Sequence, residues 1–151
     1  MSLVLNEDQV MLQESARTFC REQASIAVLR KMRDTRDPLG YPKALWQNMV
    51  ELGWAGMAIP EAYGGFEFGY SGLGIVLEET GHTLVPTPLV STVLLSATSI
   101  NLAGNTEQKS LWLPDVVSGE SVIAFALEES AFHNPAGVVL SAVKTSDGYL
   151  L

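Results

Sequence analysis

Residues 105–129 read NTEQKSLWLPDVVSGESVIAFALEE and mark a change from helical to strand-like sequence. Thr106 can cap a short helix. The Leu-Pro pair at Pro114 predicts the end of that helix, because proline lacks the amide hydrogen that a helix interior uses. Gly119 then predicts a turn, and residues 122–127 are apolar with β-branched and aromatic members, which favours a strand. The chain is therefore predicted to be helical before residue 119 and to form strands after it.

A first helix is predicted near the N-terminus. Asn6 can cap it, and Gln9 is placed to complete a capping box. The basic residues 30–36 are expected to form its C-terminal end, where positive charge suits the helix dipole, and to be a solvated surface rather than a binding patch. Its apolar face recurs at steps of three and four and comprises Leu12, Ala16, Phe19, Cys20, Gln23 and Ala27.

Three more helices are predicted before residue 105. One begins at Pro42 and ends at Gly53, a second ends at Gly81, and a third ends near Gly104. Between the first two, residues 54–74 are rich in glycine and aromatic residues and predict an ordered loop. The apolar positions of the three helices are Leu45, Trp46, Met49 and Leu52, then Leu73, Val76, Leu77 and Thr80, then Leu89, Val93, Leu94, Ala97 and Ile100.

Composition narrows the classes of function. The net charge is -8, and no Lys/Arg cluster follows Arg36, so nucleic-acid binding is not expected. Cys20 is the single cysteine and has no partner for a disulfide within the chain, which fits a reducing, cytoplasmic setting. Residues 83–106 carry no charge, but their prolines, hydroxyl residues and asparagines favour a buried helix over a membrane span.

Further strands are predicted near the end of the sequence. Residues 138–143 form a second apolar run, and Asp147-Gly148 is a turn signal before Tyr149. Two or three short strands cannot bury themselves, so they are interpreted as the opening of a larger β-domain that is cut off. The predicted domains are residues 1–119, helical, and 120–151, an incomplete β-domain.

Two segments resemble the acyl-CoA dehydrogenase family. One is the turn at residues 59–65, IPEAYGG. The other is the junction quoted above, which in the family joins the N-terminal helical domain to the middle β-domain. The resemblance implies a mainly α fold: an acyl-CoA dehydrogenase-like helical bundle followed by the first strands of the β-domain. The matching junction residues are Gln108, Lys109, Trp112, Leu113, Pro114, Gly119, Glu120, Phe125, Ala126, Leu127 and Glu129.

The resemblance also implies a function, the α,β-dehydrogenation of acyl-CoA thioesters with FAD as cofactor. The implied partners are an acyl-CoA substrate, an electron-transfer flavoprotein or similar acceptor, and other subunits in a homo- or hetero-oligomer. The catalytic base of the family lies in a C-terminal domain, so no residue of this chain is expected to inherit it. The implied flavin contacts are Phe125, Ala126, Leu127, Glu128 and Asn134, and the implied wall of the acyl-chain pocket is Thr87, Val90 and Leu94.

The sequence departs from the family pattern just after the predicted strand. Glu128 and Ser130 replace a threonine and a proline, and residues 131–135 replace a Gly-Ser-Asp loop. A carboxylate beside a reduced flavin is unfavourable unless it is protonated or turned away. This departure keeps open an alternative: a diverged, non-catalytic subunit of a heteromeric acyl-CoA dehydrogenase that serves assembly.

For the other possible sites in the sequence, we prefer a structural interpretation over a functional one. Gly64-Gly65 lacks the spacing of a phosphate loop and predicts a tight turn. Glu78 and Glu79 are adjacent on a predicted helix, so they are expected to be structural rather than a carboxylate dyad. His82 and His133 lack the ligand spacing of a zinc site. The tryptophans are expected to fill the core and domain junctions, with Trp46 or Trp54 as alternatives for covering a substrate cleft.

Overall fold

The computed structural model describes residues 4–66 and 68–151. The fold is mainly helical, as predicted, with one two-stranded sheet near the C-terminus. In chain order the helices are α1 (Glu7–Gln23), α2 (Ile26–Thr35), α3 (Lys43–Glu51), α4 (Gly69–His82), a π-helix (Leu89–Ala97), α5 (Thr98–Ala103) and α6 (Thr106–Val117). The strands are β1 (Val143–Thr145) and β2 (Gly148–Leu150).

Helix α1 begins with the predicted capping box. The Asn6 side chain accepts a hydrogen bond of 2.8 Å from the amide of Gln9, whose side chain accepts one of 3.1 Å from the amide of Asn6. The prediction that this helix continues through Ala27 is wrong. Ala24 leaves the helical conformation and is fully buried, whereas Ala27 lies exposed on the separate helix α2. The basic stretch therefore belongs to α2, and its charged side chains are exposed as expected.

The main core forms where α1, α3 and α4 meet the start of the π-helix. Phe19 packs edge-on against Trp54, with ring centroids 5.0 Å apart. Cys20 lies in the same core, and burial raises the pKa of its thiol, which keeps it protonated and unreactive. Leu52, predicted on the apolar face of α3, is exposed because α3 ends before it. The buried members include Ala16, Leu45, Trp46, Met49, Met57, Leu73, Val76, Leu89 and Val93.

The glycine- and aromatic-rich stretch after α3 is shorter than predicted. It contains two short 3₁₀ turns, Trp54–Gly56 and Glu61–Tyr63, and then α4 begins at Gly69 instead of after residue 74. Gly64-Gly65 forms a tight turn as expected. A Cβ atom on Gly65 would lie 2.0 Å from the carbonyl oxygen of Ile59, so only glycine fits there.

Helix α6 corrects two predictions about the junction. Asn105, not Thr106, is the N-cap, and it forms a second capping box with Gln108. The helix also continues past Pro114 to Val117. Proline near the end of the helix removes only its own amide hydrogen bond. The helical hydrogen-bond pattern continues beyond it, because the amide of Ser118 donates to the Pro114 carbonyl at 2.9 Å.

The strands were only partly predicted. β1 and β2 form an antiparallel hairpin in which Val143 pairs with Leu150 and Thr145 with Gly148. Residues 122–127 and 138–142 are not strands in the described chain. A strand needs a neighbour for its backbone groups, and these segments have none among the described residues. The boundary between residues 119 and 120 stays a prediction.

The charge-free segment contains the π-helix and α5 and packs within the bundle. Across residues 4–66 and 68–151, no helix combines the length and apolarity needed to cross a membrane.

Replacement of one core leucine tests this packing. Leu73→Ala removes a fully buried side chain of α4 and should lower the free energy of unfolding by about 2–5 kcal/mol. Leu52→Ala, at an exposed position, should stay within roughly 0.5 kcal/mol of the parent. Urea unfolding followed by tryptophan fluorescence measures both, and equal effects of the two substitutions would contradict the described core.

Candidate functional site

A short segment after α6, residues 121–128, crosses the π-helix and is fastened to it by side-chain hydroxyls. The hydroxyl of Thr92 donates to the carbonyl oxygen of Ile123 at 3.0 Å, and the amide of Ile123 donates back to the same hydroxyl at 3.1 Å. The Ser96 hydroxyl lies 3.2 Å from the Ile123 carbonyl. We call residues 121–128 the crossing segment. Its position relative to the helical bundle is thus set at Ile123.

A groove of about 370 Å³ opens beside the crossing segment. Phe125 and Trp112 form part of its wall, and each is about two-fifths exposed. Phe125 is therefore the predicted flavin contact that the structure places in a groove, whereas Ala126 and Leu127 lie exposed farther along. The remaining lining comes from Ser96, Ser99, Ile100, Ser121, Val122, Ile123 and Ala124.

Glu128 is engaged by the loop that follows it. One carboxylate oxygen is in hydrogen-bond contact with Nδ1 of His133, and the other accepts from the backbone amide of Asn134 at 3.1 Å. The structure therefore brings Glu128 and Asn134 together. Both oxygens of the Glu128 carboxylate thus have a partner in this loop.

Glu129 holds the next part of the chain. Its carboxylate accepts hydrogen bonds from the amides of Val139 at 2.8 Å and Leu140 at 2.9 Å. Sequence reasoning singled out Glu129 only as a family match and missed this role. The bonds span ten and eleven positions, so no local spacing indicates them. Two consecutive carboxylates thus organise residues 128–140.

The predicted acyl-pocket residues are only partly brought together. Thr87 and Val90 line a groove of about 270 Å³ with Leu77, Leu84 and other apolar residues. Leu94 does not line it and packs partly buried against the main core. The Thr87 hydroxyl contacts the sulfur of Met49 at 3.3 Å.

Another groove, of about 470 Å³, has none of the predicted site residues in its wall. Phe66 and Phe68 are exposed members of its wall, with Leu12 and Leu52 beside them. Sequence reasoning assigned these aromatic residues to an ordered loop and to no site.

Glu79 is a structural residue, as expected. Its buried carboxylate takes two hydrogen bonds from the Arg17 guanidinium, at 2.8 and 3.2 Å, and lies 3.6 Å from the His82 ring. The bonds from Arg17 lower the pKa of the Glu79 carboxyl, against the opposing effect of burial. Glu78 is exposed, so the two acids do not form a dyad.

The tryptophans of α3 and the following turn lie in the core. Trp54 is fully enclosed, which contradicts the alternative that it covers a substrate cleft. Trp46 is also buried, and its indole nitrogen has no hydrogen-bond partner among the residues that the structure describes. Within residues 4–66 and 68–151, His, Cys, Asp and Glu form no group of three or more that could hold a metal ion.

Comparisons of the sequence and of the structure with known proteins point to the same family. The family described as "Acyl-CoA dehydrogenase, N-terminal domain" matches residues 6–120. The acyl-CoA dehydrogenase IpdE2 of Mycolicibacterium smegmatis is 34% identical over 104 residues, which cover 68% of this chain and 32% of that protein. The chain thus spans about a third of the length of this curated relative.

Two solved structures share the fold. A steroid ACAD variant, Tcur3481-Tcur3483 G363A, is 34% identical with a TM-score of 0.80, over 95% of this chain and 38% of that one. The ChsE4-ChsE5 complex from Mycobacterium tuberculosis is 25% identical with a TM-score of 0.82, over 99% of this chain and 39% of that one.

The ion pair predicts how stability depends on pH. Because the pKa of Glu79 is lower in the folded chain, its contribution is present above the ordinary carboxyl pKa of about 4.3 and is lost as the pH falls through the folded value. Glu79→Gln should therefore destabilise the chain at pH 7 and have a smaller effect at pH 3.

Urea titrations of the parent, Glu79→Gln and the exposed control Glu78→Gln at several pH values measure this dependence. Equal pH profiles for the two variants would contradict the assignment.

The Glu129 bonds predict a local effect. Glu129→Ala should raise the hydrogen exchange of the Val139 and Leu140 amides by roughly ten-fold, because an amide hydrogen bond contributes about 1 kcal/mol. Mass spectrometry measures this exchange. In the control Glu120→Ala the exchange of the same two amides should change little, since Glu120 is an exposed acid outside this loop. Unchanged exchange in Glu129→Ala would show that its carboxylate does not hold the loop.

Proposed function

The chain belongs to the acyl-CoA dehydrogenase family, and on that premise we propose that it is the N-terminal part of a flavin-dependent acyl-CoA dehydrogenase. The reaction is the α,β-dehydrogenation of acyl-CoA thioesters. The observation that carries the proposal is the match of residues 6–120 to the family's N-terminal domain, followed directly by the anchored crossing segment. We propose that the helices supply a wall of the acyl-chain pocket and that the crossing segment supplies one edge of the flavin site.

The crossing segment fits a flavin ring. In the described chain, the backbone groups of residues 125–127 bond to no other protein group, so they are free to contact a cofactor. The carboxylate of Glu128 is held by His133 and the Asn134 amide. That arrangement engages the carboxylate with the loop that follows it, which fits the requirement that a carboxylate at this position be turned away from a reduced flavin. Residues 125–127 would hold one edge of FAD, which would supply the hydride acceptor for the β-hydrogen of the substrate.

The proposed substrate is an acyl-CoA, with a fatty-acyl or steroid side chain. Thr87 and Val90 would contact the acyl chain from their groove, and Leu94 would support this wall from the core side. The names of the matched proteins, an acyl-CoA dehydrogenase and a steroid ACAD, support this substrate class. The base that removes the α-proton is proposed to lie outside these residues, so the chain alone would be inactive.

The proposed partners follow from the same reaction. The proposed partner for electron transfer is an electron-transfer flavoprotein or a similar acceptor, and the protein is proposed to work as a homo- or hetero-oligomer. Among the matched structures, one is the ChsE4-ChsE5 complex, which supports assembly with other subunits. A cytoplasmic location is proposed from the single, buried cysteine.

A second candidate is a diverged, non-catalytic subunit of a heteromeric dehydrogenase. The altered residues 128–135 favour it, because the Glu128 carboxylate occupies the place of a family threonine. The two candidates differ in whether this polypeptide or a partner carries the flavin.

The visible spectrum of the longest natural protein containing this chain distinguishes them, together with its intact mass. A yellow protein whose flavin absorbance bleaches with an acyl-CoA supports the dehydrogenase. A colourless protein that copurifies with a yellow partner supports the diverged subunit. A colourless protein without such a partner contradicts both.

Residues 1–151 alone are predicted to retain FAD poorly, because the crossing segment would supply only one edge of the cofactor site. Gel filtration after incubation with FAD, with absorbance recorded at the flavin band, measures retention. A flavin spectrum that stays with the protein peak would contradict this prediction.

A further inference from the structure

The π-helix carries two hydroxyl side chains on the face that meets the crossing segment. Thr92 is fully buried and Ser96 is 3% exposed. A buried hydroxyl is costly unless it is hydrogen-bonded, and valine would fill the same space as threonine without that requirement. The two buried hydroxyls are therefore expected to have hydrogen-bond partners that account for them.

Thr92 makes a complete pairing with one backbone residue. Its hydroxyl hydrogen goes to the Ile123 carbonyl and its oxygen accepts the Ile123 amide, so both polar groups of that residue are satisfied by one side chain. Ser96 has a single hydroxyl hydrogen and two nearby acceptors. The Ser91 carbonyl at 2.7 Å is closer than the Ile123 carbonyl at 3.2 Å, so Ser96 plays the supporting part.

The pairing lies between the two proposed parts of the site. Thr92 is two residues from both Val90 and Leu94, and Ile123 is two residues before Phe125. A slip of one residue would place the backbone groups of Val122 or Ala124 opposite Thr92 and would displace Phe125 along its groove. A bond to both backbone groups of Ile123 prevents such a slip.

We propose that Thr92, supported by Ser96, is a positioning residue. It fixes the crossing segment, which would form one edge of the flavin site, relative to the proposed wall of the acyl-chain pocket. Thr92 acts through Ile123 and touches neither flavin nor substrate. The inference rests on the proposed function for its consequence in catalysis, but the fastening itself is a property of this chain alone.

The decisive variants change the hydroxyl and little else. Thr92→Val keeps the shape and removes the donor and the acceptor, whereas Thr92→Ser keeps the hydroxyl and is the rescue control. Ser96→Ala removes the supporting hydroxyl with a smaller change, and serves if Thr92→Val fails to fold.

Hydrogen exchange of the natural full chain tests the fastening without any cofactor. In Thr92→Val we expect exchange of the Ile123 amide to rise by roughly ten- to a hundred-fold while α1 and α4 keep the parent rates. Thr92→Ser should resemble the parent, and Ser96→Ala should give a smaller rise at the same amide. Parent-like exchange in Thr92→Val, or an equal rise throughout the bundle, would overturn the proposal.

The flavin-loaded full-length protein tests the consequence. Misplacement of a reacting group by about 1 Å can cost on the order of a hundred-fold in rate, so Thr92→Val should lower kcat by ten- to a hundred-fold with less change in KM. Thr92→Ser should recover most of it. A parent without flavin or activity would contradict the proposed function, while the exchange result would still decide the fastening. An active parent with an equally active Thr92→Val would overturn the positioning role.

Discussion

The carboxylate of Glu79 fixes how the two longest helices pack. It is buried on α4 and takes both of its strong hydrogen bonds from Arg17 on α1, whose guanidinium reaches in from solvent. A buried carboxylate without that partner would strongly disfavour the packed state. The pair therefore favours the packing of α1 on α4 in which Ala16, Phe19 and Cys20 lie in the core.

Much of the helical part could be predicted because helix ends are encoded locally. Asn6 and Gln9 were identified as a capping box from their spacing alone. The same Asn-x-x-Gln spacing recurs at Asn105 and was missed, because the adjacent Thr106 is also a good capping residue. The strands were harder to predict since strand formation depends on a pairing partner, and an apolar run such as residues 122–127 does not say whether one is present.

The candidate site depends on contacts that are distant in sequence. In the sequence, the hydroxyl residues of the charge-free segment argue only against a membrane span, yet Thr92 and Ser96 contact the crossing segment from 31 and 27 positions away. Similarly, the engagement of Glu128 by His133 and Asn134 is a matter of loop shape. The resemblance indicates a site at this junction, whereas the hydrogen bonds that hold residues 121–140 join positions too distant in sequence to be predicted from spacing. The assignment of individual residues to flavin and substrate stays a prediction.

The separation of α1 from α4 has a consequence for the newborn polypeptide. Arg17 leaves the ribosome before Glu79 has been translated, 62 residues later, so the apolar face of α1 lacks its contact with α4 during that interval. An amphipathic helix in this condition is a substrate for chaperones or a starting point for aggregation. The amount of folded protein in a cell should therefore depend on the pace of translation between these two helices, as well as on the stability of the finished bundle.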